Sequence, residues 1–142
     1  TATPRRIAVV GAGPAGLACA TTLAERGHRV TLYEAADEIG GQFNMAKRIP
    51  GKEEFAETIR YFGTRLAKLG VEVKLGQRVE CSDLGNFHHV IVATGIVPRA
   101  LDVPGNEHAK VASYADVVSG RRVAGSKVAI TLPAIARAAC SA

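Results

Sequence analysis

The residues best placed to do chemistry are three glycines, Gly11, Gly13 and Gly16, spaced as G-x-G-x-x-G. Alone this spacing is a weak signal. Its surroundings strengthen it: the apolar run Arg6 to Val10 precedes it and reads as a buried parallel strand, and a helical stretch with Pro14 in its first turn follows. In such a strand–turn–helix each glycine has a separate task. Gly11 permits the tight turn, Gly13 lets a pyrophosphate approach the backbone, and Gly16 lets the helix pack close to the strand. The helix N-terminus then presents unpaired N–H groups and a partial positive charge to the anion. Glu34 closes a second strand, Arg29 to Tyr33, about 20 residues further on. A carboxylate there accepts hydrogen bonds from both ribose hydroxyls of an adenosine and repels a 2′-phosphate, so loop and acid together fit NAD or FAD and not NADP.

Two later features favour FAD. Ile39-Gly40-Gly41-Gln42 follows the acid closely; its glycines let the chain pass near a ligand that Gln42 can hydrogen-bond. The run Val90 to Pro98 (VIVATGIVP) ends a strand on Thr94-Gly95, and Val103-Pro104-Gly105 continues it. A fold built for NAD alone has no such element.

Several elements must position these residues. The first helix should run from Pro14 to Arg26 and stop at Gly27. A loop is expected from Ala35 to Gly51. Phe55, Ile59, Phe62, Leu66 and Leu69 then form one apolar stripe at helical spacing, stopped by Gly70. Val71 to Leu75 alternates as a half-buried strand. Gln77 to Cys81 is expected as a short strand, His88 to Ala93 as a buried one, and Lys127 to Thr131 as the last. Ser113 should cap a short helix through Val118. This alternation predicts an α/β protein: a Rossmann-like FAD-binding fold with a parallel sheet, incomplete at its C-terminal end.

Composition narrows the function classes. The chain has 142 residues, enough for one core, with an ordinary soluble balance of 47% apolar and 22% charged residues. No run approaches the length of a membrane span, and the opening TATPRR has no apolar segment behind its charges, so a cytoplasmic protein without a signal peptide or membrane partner is expected. The net charge of +5 is scattered, with adjacent arginines only at Arg5-Arg6 and Arg121-Arg122 and only four Phe and three Tyr to stack on bases; no nucleic-acid partner is expected. Cys19, Cys81 and Cys140 form no C-x-x-C pair, which argues against a redox dithiol or zinc ribbon, and Cys19 reads as a buried inert thiol. His88 and His89 lack a carboxylate or Cys at ligand spacing, so no metal site is expected. Lys47 and Arg48 read as solvated loop charges, with a phosphate contact as the sharper alternative. No nucleophile–base pair appears, and no catalytic side chain is assigned: in flavin enzymes the cofactor carries the hard chemistry.

From about residue 6 to 130 the sequence resembles the FAD-binding domain of two-dinucleotide flavoprotein reductases, the group containing glutathione and thioredoxin reductases. Within that group, GGQFNMAKRIPGKEEF (residues 40–55) and ATGIVPR (residues 93–99) look like bacterial NADPH-dependent 2,4-dienoyl-CoA reductase. The old-yellow-enzyme branch, including trimethylamine dehydrogenase, is similar in architecture. The resemblance implies an oxidoreductase of fatty acid oxidation in which electrons pass from NADPH through FAD and an iron–sulfur cluster to FMN and an enoyl-CoA. It implies that Gly11, Gly13, Pro14, Ala15 and Gly16 surround the pyrophosphate and that Glu34, with Ala35 beside it, holds the adenosine ribose. Gly41 and Gln42 would contact the pyrophosphate or the flavin half, and Lys52 a phosphate. Val79 would offer its backbone to adenine, while Ala93, Thr94 and Gly95 line the cofactor.

The C-terminal sequence departs from that pattern. The strand expected at Lys127 leads into TLPAIARAACSA, with no glycine after Gly125, where the resemblance requires a second glycine loop for NADPH. Residues 1–125 therefore read as the N-terminal part of an FAD-binding domain, and 126–142 as the first strand of a truncated NAD(P)-binding domain plus an atypical tail. The NADPH, FMN and iron–sulfur sites are absent from this stretch. The chain alone is expected to be inactive, a fragment whose partners are a dinucleotide, the rest of a parent enzyme and, through exposed apolar surface, other copies of itself. A non-catalytic FAD or adenine-nucleotide module, and an FAD domain of an amine-dehydrogenase type, remain the alternatives.

Overall fold

The computed structural model describes residues 3–98 and 104–130, which fall into two compact units dividing between Val97 and Pro98. The first unit holds a parallel sheet of β1 (Arg6–Val10), β2 (Arg29–Tyr33), β3 (Glu72–Lys74) and β4 (His89–Val92), ordered β3-β2-β1-β4. Ile7 pairs with Val30 on one side and with His89 on the other. Ile7, Ala8 and Val9 are buried, as are Val30 to Tyr33, which explains why both central strands are nearly continuous apolar runs.

Helix α1 (Pro14–Glu25) packs its small residues Gly16 and Ala20 inward with Leu17, allowing it to lie close to the sheet. It ends where expected. Gly27 adopts φ +85°, its N–H bonds to Ala24 O at 2.9 Å, and His28 N–H bonds to Leu23 O at 3.1 Å, a paired terminus that only glycine enters without strain. Helix α3 (Glu54–Lys68) ends in the same way at Gly70. Its apolar stripe faces inward at Leu66, which is buried among Val9, Ala12, Leu17, Ala20, Val30, Leu32 and Val71, with Phe62 and Leu69 packed alongside.

Five expectations change. The segment read as a loop from Ala35 to Gly51 contains a one-turn helix, α2 (Phe43–Ala46), too short for periodicity to reveal; Phe43 packs on Phe55 with ring centroids 4.7 Å apart. Gln77 to Cys81 forms no strand. Instead Cys81–Leu84 makes a 3-10 turn whose capping box joins Glu80 and Asp83, so local side-chain bonds replace a ladder. Strand β4 is shorter than expected and not buried, because it is the last strand of the sheet among the described residues: Val92 is 72% exposed. Lys127 to Ile130 forms no strand, and Thr131 lies outside the described residues, as does Cys140. Cys19 is half-buried rather than buried.

In the second unit Ser113 caps α4 (Tyr114–Val118): its Oγ accepts from Asp116 N–H at 3.1 Å. Asp116 in turn accepts from the Ser113 hydroxyl and the Arg121 guanidinium, which hold its carboxyl below the usual range. A depressed carboxyl contributes stability above its unfolded pKa, about 3.9, and loses it as pH falls through the lower folded value. Helix α4 should therefore stay capped down to about pH 4 and fray only in stronger acid. An NMR acid titration of the Asp116 amide would show this, and a transition near neutral pH would contradict it.

Candidate functional site

Strands β2 and β4 lie on opposite sides of β1, so the chain leaving β1 meets a crevice at the carboxyl ends of the strands, where open α/β sheets bind ligands. Residues Gly11 to Gly16 form the floor. Gly11 has φ +106°, donates to Tyr33 O at 2.8 Å, and has no room for a side chain: a Cβ would lie 2.3 Å from Ala93 O. A Cβ on Gly16 would lie 1.8 Å from Gly11 O. These two glycines are required by the protein's own packing.

Gly13 is different. Its backbone is extended (φ −74°, ψ −178°), a conformation open to any residue, and a Cβ there would meet nothing within 4 Å. The fold itself does not need glycine at this position; the space above it is left bare at the N-terminus of α1. No acidic residue occupies the first turn of that helix, and no side chain caps it. Pro14 is half-buried and Ala15 exposed on the same turn. A bare backbone and N–H groups at a helix start, with no acidic residue in the helix's own first turn, can cradle an anion.

Glu34 stands beside the cradle, half-buried at the end of β2. Its Oε2 accepts from Ala12 N–H at 2.6 Å and its Oε1 from Ala36 N–H at 2.9 Å. The carboxylate thus fastens the glycine loop to the end of β2. Each carboxylate oxygen has two lone pairs, so one on each remains for a ribose hydroxyl. Ala12, fully buried, was not legible in the sequence as a site residue: it is an unspecified x in the motif. It is nonetheless the hub of the floor, giving its N–H to Glu34 and accepting Gly40 N–H at 2.8 Å.

The 40s loop and the end of β4 also reach the floor. A Cβ on Gly41 would lie 2.8 Å from Gly13 Cα, and Gln42 follows it, exposed. Ala93 packs against Gly11, with Thr94 and Gly95 (φ +81°) exposed beyond it. Glu34, Gly41 and Ala93 are therefore brought to the glycine loop from three separate segments. Ala35 is exposed next to Glu34. Lys52 and Val79 are outside this set of contacts: Lys52 is exposed on the turn into α3, and Val79 is half-buried between β3 and the 3-10 turn. Lys47 bonds Asn44 Oδ1 at 2.8 Å and reaches Glu38 at 3.5 Å, so it braces its own loop. His88 Nδ1 accepts from Arg6 N–H at 3.0 Å and His89 Nε2 bonds Arg5 Nη1 at 3.1 Å, engaging both imidazoles at the opposite end of the sheet. No helix among the described residues is long and apolar enough to cross a membrane.

Comparison with known proteins agrees with this fold. The family described as pyridine nucleotide-disulphide oxidoreductase matches residues 5–131. The chain is 38% identical over 134 residues to the N,N-dimethylglycine/sarcosine dehydrogenase of Chromohalobacter salexigens, covering 89% of this chain and 19% of that protein. It is 36% identical over 136 residues to the metal reductase of Desulforamulus reducens, covering 92% and 20%. Among solved structures, 2-naphthoyl-CoA reductase in complex with 2-naphthoyl-CoA superposes with a TM-score of 0.83 at 33% identity, covering 87% of this chain and 19% of that one. The chain spans about a fifth of the length of these relatives.

Proposed function

The chain belongs to the pyridine nucleotide-disulphide oxidoreductase family, and from that membership we propose that it is the FAD-binding part of a longer flavin-dependent oxidoreductase. The observation that carries this reading is the bare face of Gly13, kept open by a fold that has no steric need for glycine there. The residues fit the cofactor. The turn from Gly11 to Gly16 would hold the pyrophosphate, Glu34 the adenosine ribose, with Ala35 beside it, and Gly41, Gln42, Ala93, Thr94 and Gly95 the part leading to the flavin. Lys52 and Val79 complete the proposed set, at a phosphate and at adenine. When bound, FAD supplies hydride and single-electron chemistry that no side chain here could perform. The protein's own part is to bind and orient: backbone N–H groups neutralise the phosphates, and Glu34 selects an unmodified ribose.

The narrower proposal is a relay from NADPH towards FMN, through an iron–sulfur cluster, ending on an enoyl-CoA as in 2,4-dienoyl-CoA reductases, in the cytoplasm. The likeness to 2-naphthoyl-CoA reductase supports an acyl-CoA substrate for the parent. The likeness to a dimethylglycine/sarcosine dehydrogenase favours a second reading, an amine-oxidising parent with the same FAD domain. Residues 1–125 would be that domain's N-terminal part and 126–142 the approach to a nicotinamide domain. The exposed flank of β4 at Val90 and Val92 would be covered by the rest of the parent or by a second copy. The test is calorimetric titration of the chain with FAD, FMN and NADP. FAD should bind most tightly and NADP not measurably; a preference for NADP would overturn the assignment.

A further inference from the structure

We propose that Asn44 is a positioning residue for the dinucleotide's pyrophosphate, acting through the Gly40–Gly41 turn that it braces against Gly13. The inference rests on the placement of FAD proposed above. The turn touches the cradle at two points: Gly40 N–H bonds to Ala12 O at 2.8 Å, and the Gly41 backbone passes so near Gly13 that a Cβ on Gly41 would lie 2.8 Å from Gly13 Cα. Its conformation, with φ +120° at Gly40 and +52° at Gly41, is open to glycine without strain, and because glycine is as free to leave it, bonds from neighbouring residues are what fix the turn.

The Asn44 amide helps to do so. Its Nδ2 donates to Ile39 O at 2.9 Å, immediately before the turn, and its Oδ1 accepts from Lys47 Nζ at 2.8 Å. One end needs a donor and the other an acceptor, so the amide has a single orientation. The amide also packs flat on Gly40: a Cβ there would lie 3.0 Å from both Asn44 Nδ2 and Oδ1. Lys47 is tied in turn to Glu38 at 3.5 Å. Glu38, Asn44 and Lys47 thus form a strut spanning the turn, and Asn44 bonds it on both sides, through its side chain to Ile39 O and through its backbone N–H to Gly41 O at 3.1 Å. A leucine of similar volume would fill the space without either side-chain bond. Alanine would remove the side-chain strut, leaving only the backbone bonds of Gly40 N–H to Ala12 O and of Phe43 and Asn44 N–H to Gly40 O and Gly41 O, while favouring the helical backbone at this position.

The test compares FAD, ADP and adenosine binding to the wild-type chain and to Asn44→Leu and Asn44→Ala. Adenosine lacks the pyrophosphate, so a general loss of structure would weaken all three ligands. Displacement of the turn should weaken FAD and ADP by about tenfold, the loss of one to two hydrogen bonds, while leaving adenosine within about twofold. Equal losses for ADP and adenosine would overturn the proposal, as would unchanged FAD binding in both variants. Failure of both variants to fold would make Asn44 a residue of the domain's framework and would overturn it too. If the wild-type chain itself bound neither FAD nor ADP, the placement of the cofactor would fail first, which separates the two outcomes.

Discussion

Gly16→Ala is expected to destabilise the first unit by about 3 kcal/mol or more, the upper range for forcing a methyl group into filled space. The added Cβ would lie 1.8 Å from Gly11 O and 3.0 Å from Gly11 C. Both are backbone atoms, and Gly11 cannot retreat. Its N–H is bound to Tyr33 O, and its own Cα faces the Ala93 carbonyl. Relief would require α1 to lift from β1, opening a core in which Leu17 and Val9 are fully buried. Since domains of this size are stable by only about 5–15 kcal/mol, the change removes a large share of the total. Urea denaturation should show a lower midpoint with an unchanged slope. An unaltered midpoint would mean that helix and strand are not packed this closely.

Glu34→Ala should act twice. The Ala12 N–H, on a fully buried residue, loses its acceptor, which costs about 1–3 kcal/mol of stability. Ala36 is exposed, so water replaces its lost acceptor at little cost. Separately, FAD loses charge-assisted bonds to the adenosine ribose worth about 1.5–3 kcal/mol each, so its affinity should fall at least about tenfold. FMN has no adenosine and should lose far less. The comparison of the two flavins, made where the variant remains folded, separates the roles. Equal losses for FAD and FMN would reduce Glu34 to a fastener of the loop.

Much of this site was legible in the sequence because its parts are local. The glycine loop, β1, β2 and Glu34 lie within one strand–helix–strand unit, and each is marked by a residue type with one physical use. The terminators at Gly27 and Gly70 were readable for the same reason: a glycine directly after an apolar helical stripe supplies the left-handed residue that ends the helix. What escaped reading depends on tertiary partners or on short local features that leave no period. Ala12 carries no chemical signal, and its importance comes from two backbone bonds to distant segments. Helix α2 is too short to show a period. The exposure of β4 reflects its place at the end of the sheet, whereas its sequence, HVIV, is as apolar as that of a central strand. Gln77 to Cys81 has strand-like residues, but Glu80 and Asp83 satisfy the backbone locally. Gly13 was recognised by its motif. Only the folded chain shows that, of the three loop glycines, it alone has open space where a side chain would stand.

That distinction supplies the most direct test: a thermal melt and an FAD titration on wild type and Gly13→Val, side by side. The extended backbone at Gly13 accepts valine and its Cβ meets no neighbour, so the melt should change by no more than the about 1 kcal/mol that separates residues at a helix N-cap. FAD affinity should fall by at least about a hundredfold, because excluding the phosphates forfeits two charge-assisted bonds of about 1.5 kcal/mol or more each. A stable variant that no longer binds FAD would confirm that the glycine is kept for the ligand. A stable variant that binds FAD as wild type does would show that the pyrophosphate lies elsewhere, and would contradict the account.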